Sequence, residues 1–131
     1  MKILIIEDHP EYKCREILDE CHNRGIKVEV KKARNTGLWE IICSGNKYDG
    51  IILDMGLPIY EGEFYIGDRV GDEILAELRR KEYNIPVLIF SETQSKYKYK
   101  CDFVFDQMTS WNIVEEEKKF YAFLEKIAEK N

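Results

Sequence analysis

Two acids, Glu7 and Asp8, follow the apolar run Ile3 to Ile6, and a third, Asp54, closes the apolar run Ile51 to Leu53. Brought together, three carboxylates repel one another, and a hard divalent cation relieves that repulsion. Mg2+ takes oxygen ligands in an octahedron and keeps several waters. Asp8 and Asp54 suit direct coordination, Glu7 suits coordination through a water, and the backbone carbonyl of Gly56 offers a further oxygen. A phosphoryl group carried on Asp54 would complete the shell, because Mg2+ offsets the charge on a transferring phosphoryl group. Ser91, just after the run Val87 to Phe90, brings a hydroxyl that can donate to a phosphoryl oxygen.

The chain must gather these residues, and its periodicity says how. Residues 2–6 read as a buried strand. After Pro10, Cys14, Ile17, Leu18 and Cys21 fall on one helical face, and Gly25 stops that helix. Ile26, Val28 and Val30 alternate with charged residues, which reads as a second strand, half exposed and near an edge. Thr36 caps a helix carrying Leu38, Trp39, Ile41 and Ile42 that ends near Gly45. Residues 50–54 are the third strand. Residues 55–70 hold Gly56, Pro58, Gly62 and Gly67 among Tyr60, Phe64 and Tyr65, and read as a long loop. Ile74, Leu75 and Leu78 mark a helix, and Val87 to Phe90 a fourth strand. Residues 91–100 are polar and lysine-rich, with a short helix at best. Phe103 to Phe105 is the fifth strand. Asn112 and Glu115 resemble a capping box for a last helix carrying Ile113, Phe120, Leu124 and Ile127.

Five strands alternating with helices imply an α/β fold, a doubly wound parallel sheet covered on both faces. In such sheets ligands bind beyond the carboxyl ends of the strands. Glu7, Asp8, Asp54, Ser91 and Asp106 each follow or end a strand, so they are expected on one rim.

Composition limits the function classes. The 131 residues fit one domain, 1–131, and 44% hydrophobic residues support a folded core. No apolar run approaches the roughly 18 residues of a membrane span. The start, Met-Lys-Ile-Leu-Ile-Ile, turns acidic at once and does not read as a signal peptide. Cys14, Cys21, Cys43 and Cys101 form no metal-type spacing and read as reduced, mostly buried thiols of a cytoplasmic protein. A net charge of −5 disfavours direct DNA binding by the domain. Lys96, Lys98 and Lys100 read as a solvated stretch, Trp39 and Trp111 as packing residues, and His9 as a loop histidine.

Three segments carry a family resemblance. Ile-Leu-Ile-Ile-Glu7-Asp8-His-Pro resembles the opening of a response-regulator receiver domain of the CheY-like kind. Tyr-Asp-Gly-Ile-Ile-Leu-Asp54-Met-Gly-Leu-Pro58 resembles its phosphoacceptor strand and following loop. Asn-Ile-Pro86-Val-Leu-Ile-Phe-Ser91 resembles its fourth strand with the hydroxyl switch residue. Asp54 lies 46 residues after Asp8 (8 to 54), typical of that family. The resemblance covers nearly the whole chain and implies a flavodoxin-like strand order of 2-1-3-4-5. It implies phosphoryl transfer to Asp54 from a histidine kinase or phosphotransfer protein, with Mg2+, Ser91 as switch hydroxyl and Phe103 as switch aromatic. Signalling would then pass to an unknown output protein, with no membrane contact. Any enzymatic activity would be at most Mg2+-dependent autophosphorylation.

The chain also departs from that pattern. Receivers carry a lysine just after strand five, where this sequence has Asp106. Glu92 follows the switch serine, where a small residue is common. The segment from Ser91 to Asp106 is about seven residues shorter than usual, so the fourth helix is abbreviated, and the segment after Pro58 is about nine longer. Asp106 favours an alternative, a pseudo-receiver that binds a protein partner without phosphorylation. A haloacid-dehalogenase-type phosphatase would need a second aspartate two residues after the nucleophile, where Gly56 stands.

Overall fold

The computed structural model describes residues 1–7, 14–31, 42, 47–54, 58–61, 64–68, 70–90, 103–105 and 114–130. The strands are β1 (Lys2–Ile6), β2 (Lys27–Lys31), β3 (Gly50–Asp54), β4 (Pro58–Glu61), β5 (Phe64–Asp68), β6 (Val87–Phe90) and β7 (Phe103–Phe105). The helices are α1 (Arg15–Asn23), α2 (Val70–Arg80) and α3 (Val114–Lys130). One sheet has the order β2-β1-β3-β6-β7, with every neighbouring pair parallel. Counted within that sheet, this is the expected order 2-1-3-4-5.

The sheet is wound on both faces, and alternation along its central strands decides which residues go where. Leu4, Ile6, Ile51, Leu53, Val87 and Ile89 pack with Ile74, Leu75 and Leu78 of α2. Ile3, Ile5, Ile52 and Leu88 face the other way, onto Cys14, Ile17 and Cys21 beside α3 residues Phe120, Phe123, Leu124 and Ile127. Strands β1 and β3 are covered on both sides, which is why they read as unbroken apolar runs. β2 is an edge strand, and its Val30 is exposed.

Local signals stop the helices where the sheet needs the chain back. Gly25 has φ +69°, its N–H donates to the His22 carbonyl, and the Ile26 N–H donates to the Cys21 carbonyl. That is a Schellman closure, and it turns the chain from α1 into β2. The end of α2 repeats the pattern at Glu82, with Tyr83 N–H donating to the Leu78 carbonyl. Arg79 Nη1 then donates to the carbonyls of Tyr83 and Ile85 and holds the approach to β6.

Gly50 shows how tightly α3 sits on the sheet. A Cβ there would lie 2.5 Å from Ile127 Cδ1 and 2.9 Å from Phe123 Cζ. Gly50→Ala is therefore expected to lower stability by about 1–3 kcal/mol through overpacking. Chemical denaturation checks this, and adding Ile127→Val should recover part of the loss. A Gly50→Ala variant as stable as the natural protein would mean that α3 yields without cost.

The expectation of a long loop over residues 55–70 is corrected. Pro58–Glu61 and Phe64–Asp68 form an antiparallel hairpin, a separate two-stranded sheet. Its pairs are Pro58↔Asp68, Ile59↔Gly67, Tyr60↔Tyr65 and Glu61↔Phe64, so Ile66 is an extra residue in β5. The β-forming residues Ile59, Tyr60, Phe64, Tyr65 and Ile66 outweigh Pro58 and Gly67, which the ladder accommodates as strand residues.

The helix expected over 36–45 is represented by Ile42, which is helical and buried. The rest of it, including Trp39 and Cys43, lies outside the described residues. So do Trp111, the capping box at Asn112, Cys101, and the polar stretch with its abbreviated fourth helix. Cys14 and Cys21 are buried thiols, as expected.

Candidate functional site: two acids at the carboxyl ends of β1 and β3

The parallel ladder fixes where the acids lie. Ile6 is in register with Leu53, so Glu7 and Asp54 are the next residues along two adjacent strands. Their backbones are about 5 Å apart, the spacing of neighbouring strands. The N–H of Glu7 donates to the Lys31 carbonyl at 3.1 Å and keeps Glu7 on the β1–β2 ladder past the last strand residue. Asp54 is in register with Phe90, and Phe90 with Phe105. One row across the end of the sheet therefore runs from Glu7 through Asp54 and Phe90 to Phe105.

Glu7 and Asp54 are the buried acids among the described residues, 1% and 6% exposed. Every other acid with a described side chain is at least partly exposed. Two acids side by side and out of water suit a binding site better than a stability element, because burial weakens the screening of like charges. Oxygen donors of this kind suit a hard cation such as Mg2+.

Asp8 follows Glu7, Gly56 stands two residues after Asp54, and Ser91 and Glu92 follow Phe90. All four lie outside the described residues, as do His9, Arg69 and Asp106, the residue after Phe105. Phe103 begins β7, in register with Leu88. The structure therefore brings Glu7 and Asp54 together, and the chain continues from Phe90 and Phe105 at the same level. What the sequence reading missed here is the hairpin, which opens at Pro58 just after Asp54.

The opposite end of the sheet carries a different polar group. Tyr48 Oη donates to Glu29 Oε2 at 2.6 Å, Lys2 Nζ sits 3.5 Å from the same carboxylate, and the Lys2 ammonium lies over the Tyr48 ring. The hydrogen bond from Tyr48 holds the Glu29 carboxyl below its usual range. These contacts tie β1, β2 and the start of β3 together at their amino ends, so they belong to the fold.

Burial, with the Glu29 carboxylate beside it, pushes the Tyr48 phenol up to about 12. Burial, with Glu20 nearby, pushes the Cys21 thiol up to about 11. Both folded values lie above the ordinary 10.0 and 9.0, so the folded state favours the protonated forms. Their contribution is complete below about pH 9 and is lost as pH rises through 11 and 12. Thermal unfolding from pH 8 to pH 12 is expected to show falling stability, with about 2–3 kcal/mol from Tyr48. Tyr48→Phe should flatten the curve above pH 10 and leave the part due to Cys21. Identical curves for the two proteins would take Tyr48 out of the explanation.

Comparison with solved structures decides the kind of fold. A chain from the crystal structure of the histidine kinase ThkA in complex with the response regulator protein TrrA matches 94% of this chain and 97% of its own length, at 26% identity and a TM-score of 0.63. The receiver domain of the sensor histidine kinase PA1611 from Pseudomonas aeruginosa PAO1 matches with 97% of each chain covered, at 17% identity and a TM-score of 0.60. The fold is that of a response-regulator receiver domain. The PA1611 receiver was crystallised with a magnesium ion coordinated in its active site cleft. No protein-family model matches the chain, and no curated protein matches it. In this chain a hairpin follows Asp54 and an acid, Asp106, follows β7. Among the described residues, no helix is long and apolar enough to cross a membrane.

Proposed function

We propose that this chain is a cytoplasmic receiver module of two-component signal transduction that accepts a phosphoryl group on Asp54 and signals through a protein partner. The observation that carries the reading is the pair of buried acids, Glu7 and Asp54, at the carboxyl ends of adjacent central strands in a receiver fold. An oxygen of Asp54 bonds to phosphorus while the bond from phosphorus to the donor breaks, and the donor keeps the electron pair. Glu7, Asp8, Asp54 and the backbone carbonyl of Gly56 are the groups that would hold Mg2+. Bound there, Mg2+ supplies positive charge against the phosphoryl oxygens. The Ser91 hydroxyl donates to a phosphoryl oxygen, and Phe103 holds the position of the switch aromatic, coupled to it only weakly because Asp106 stands where a lysine would attract the phosphoryl group. The donor is a histidine kinase or a phosphotransfer protein, in line with the ThkA–TrrA complex. The output partner is a protein and not DNA, in keeping with the net charge of −5.

The test is incubation with Mg2+ and a small phosphodonor, followed by intact mass. One phosphoryl group, labile to hydroxylamine as an acyl phosphate is, is the expected result. Unchanged mass, with a known receiver labelled in parallel, would reject phosphoryl acceptance.

A second reading is favoured by Asp106. An acid in place of the lysine after β7 repels a phosphoryl group instead of pairing with it. In that reading the module is a pseudo-receiver that binds its partner whether or not Asp54 is phosphorylated.

A further inference from the structure

Among the described residues, the hairpin β4–β5 pairs with no third strand. A two-stranded ribbon is marginal in water, and its outer edges present N–H and C=O groups to which another extended chain can pair. The two edges differ. β4 has four residues and begins with Pro58, which has no N–H to donate. β5 has five residues, none of them proline, and its extra residue Ile66 sets one backbone unit off the ladder. The stretch 58–68 carries Glu61, Glu63 and Asp68 and no lysine, arginine or histidine.

We propose that the outer edge of β5, Phe64–Asp68, receives an extended, lysine- or arginine-bearing segment of a partner protein as a third strand. In this mode main-chain hydrogen bonds supply affinity, and complementary charge supplies selectivity. A second copy of the same ribbon is a poorer occupant. It would bring together two ribbons that each carry three acids and no base, and like charges repel. The bulge at Ile66 bends the edge, which restricts pairing to a short segment and opposes open-ended stacking.

The edge is also tethered to the acids. Pro58 lies within about 15 Å of Asp54 by chain length alone, and Asp68 pairs with Pro58, so both ends of the ribbon stay near that rim. The proposal rests on the ribbon's backbone and charge, and it holds whether or not Asp54 takes a phosphoryl group.

The test titrates the full chain, labelled for amide spectroscopy, with a short synthetic peptide in which lysine alternates with valine. A second titration uses the same peptide with glutamate in place of lysine. The lysine peptide is expected to protect the amides of Phe64–Asp68 from hydrogen exchange more than those of any other strand. The glutamate peptide should bind at least roughly tenfold more weakly. Glu61→Lys combined with Asp68→Lys should reverse that preference at unchanged melting temperature. Equal binding of the two peptides, or binding of neither, overturns the proposal. Protection centred on the β2 edge also overturns it, and so does β5 protection that grows with protein concentration alone, which would name a second copy as the occupant.

Discussion

Asp54→Asn is expected to end phosphoryl labelling altogether and, in metal-free buffer, to raise the melting temperature. The two effects share one cause. Asp54 and Glu7 are buried at the ends of adjacent strands, with backbones about 5 Å apart. Acids placed side by side and away from water repel when both carry charge, and that repulsion costs folding energy. Asparagine keeps the shape and the acceptor oxygen and removes one charge, so the folded state gains part of that energy, enough for several degrees in a domain of this size. In the proposed reading it also removes the phosphoryl acceptor and an anionic metal ligand. Mg2+ at tens of millimolar should therefore raise the melting temperature of the natural protein, because a ligand that binds the folded state alone stabilises it. The Asp54→Asn variant should respond little. Thermal unfolding of both proteins with and without Mg2+ measures the four values needed. A destabilised Asp54→Asn variant with an intact Mg2+ response would place the cation elsewhere and leave Asp54 a structural acid.

Parts of this arrangement were legible in the sequence for physical reasons. A strand covered on both faces has no choice but to be apolar throughout, and residues 2–6 and 50–54 show that directly. A helix stopped by a left-handed residue advertises it, as Gly25 does. The α2 face of Ile74, Leu75 and Leu78 follows from helical period, and the pairing of Glu7 with Asp54 follows from where strands end in a parallel sheet. Other features depend on contacts between distant residues. That position 50 must be glycine is set by Ile127 and Phe123, far along the chain. Glu29 and Tyr48 meet only because β2 and β3 flank β1. The hairpin was obscured by residue types usual in loops. Gly56, Pro58, Gly62 and Gly67 read together as loop, whereas Ile-Tyr-Glu and Phe-Tyr-Ile on either side of residues 62–63 were the strand signal.

Asp106→Lys is expected to convert weak coupling across the sheet end into strong coupling. Asp54 is in register with Phe90 and Phe90 with Phe105, so Phe105 stands two strand spacings, about 10 Å, from Asp54. Residue 106 follows directly. A lysine there has a stem long enough to reach a phosphoryl group on Asp54, and at contact distance each unit charge is worth about 4 kcal/mol at an effective dielectric constant near 20. Aspartate has a short side chain of the wrong sign, so it neither reaches nor attracts. A modification shifts a conformational equilibrium only as far as it interacts differently with the two states. With Asp106 in place, a phosphoryl group on Asp54 gains nothing from β7, and the strand that carries Phe103 has no reason to move. Amide spectra with and without beryllofluoride, in the natural protein and in Asp106→Lys, read this difference. Small changes over Phe103–Phe105 in the natural protein and large ones in the variant are the expected pair, and they favour the pseudo-receiver reading. Large changes in the natural protein would mean that another cation, such as Lys100 or Arg69, takes the lysine's place, and that the module switches on phosphorylation after all.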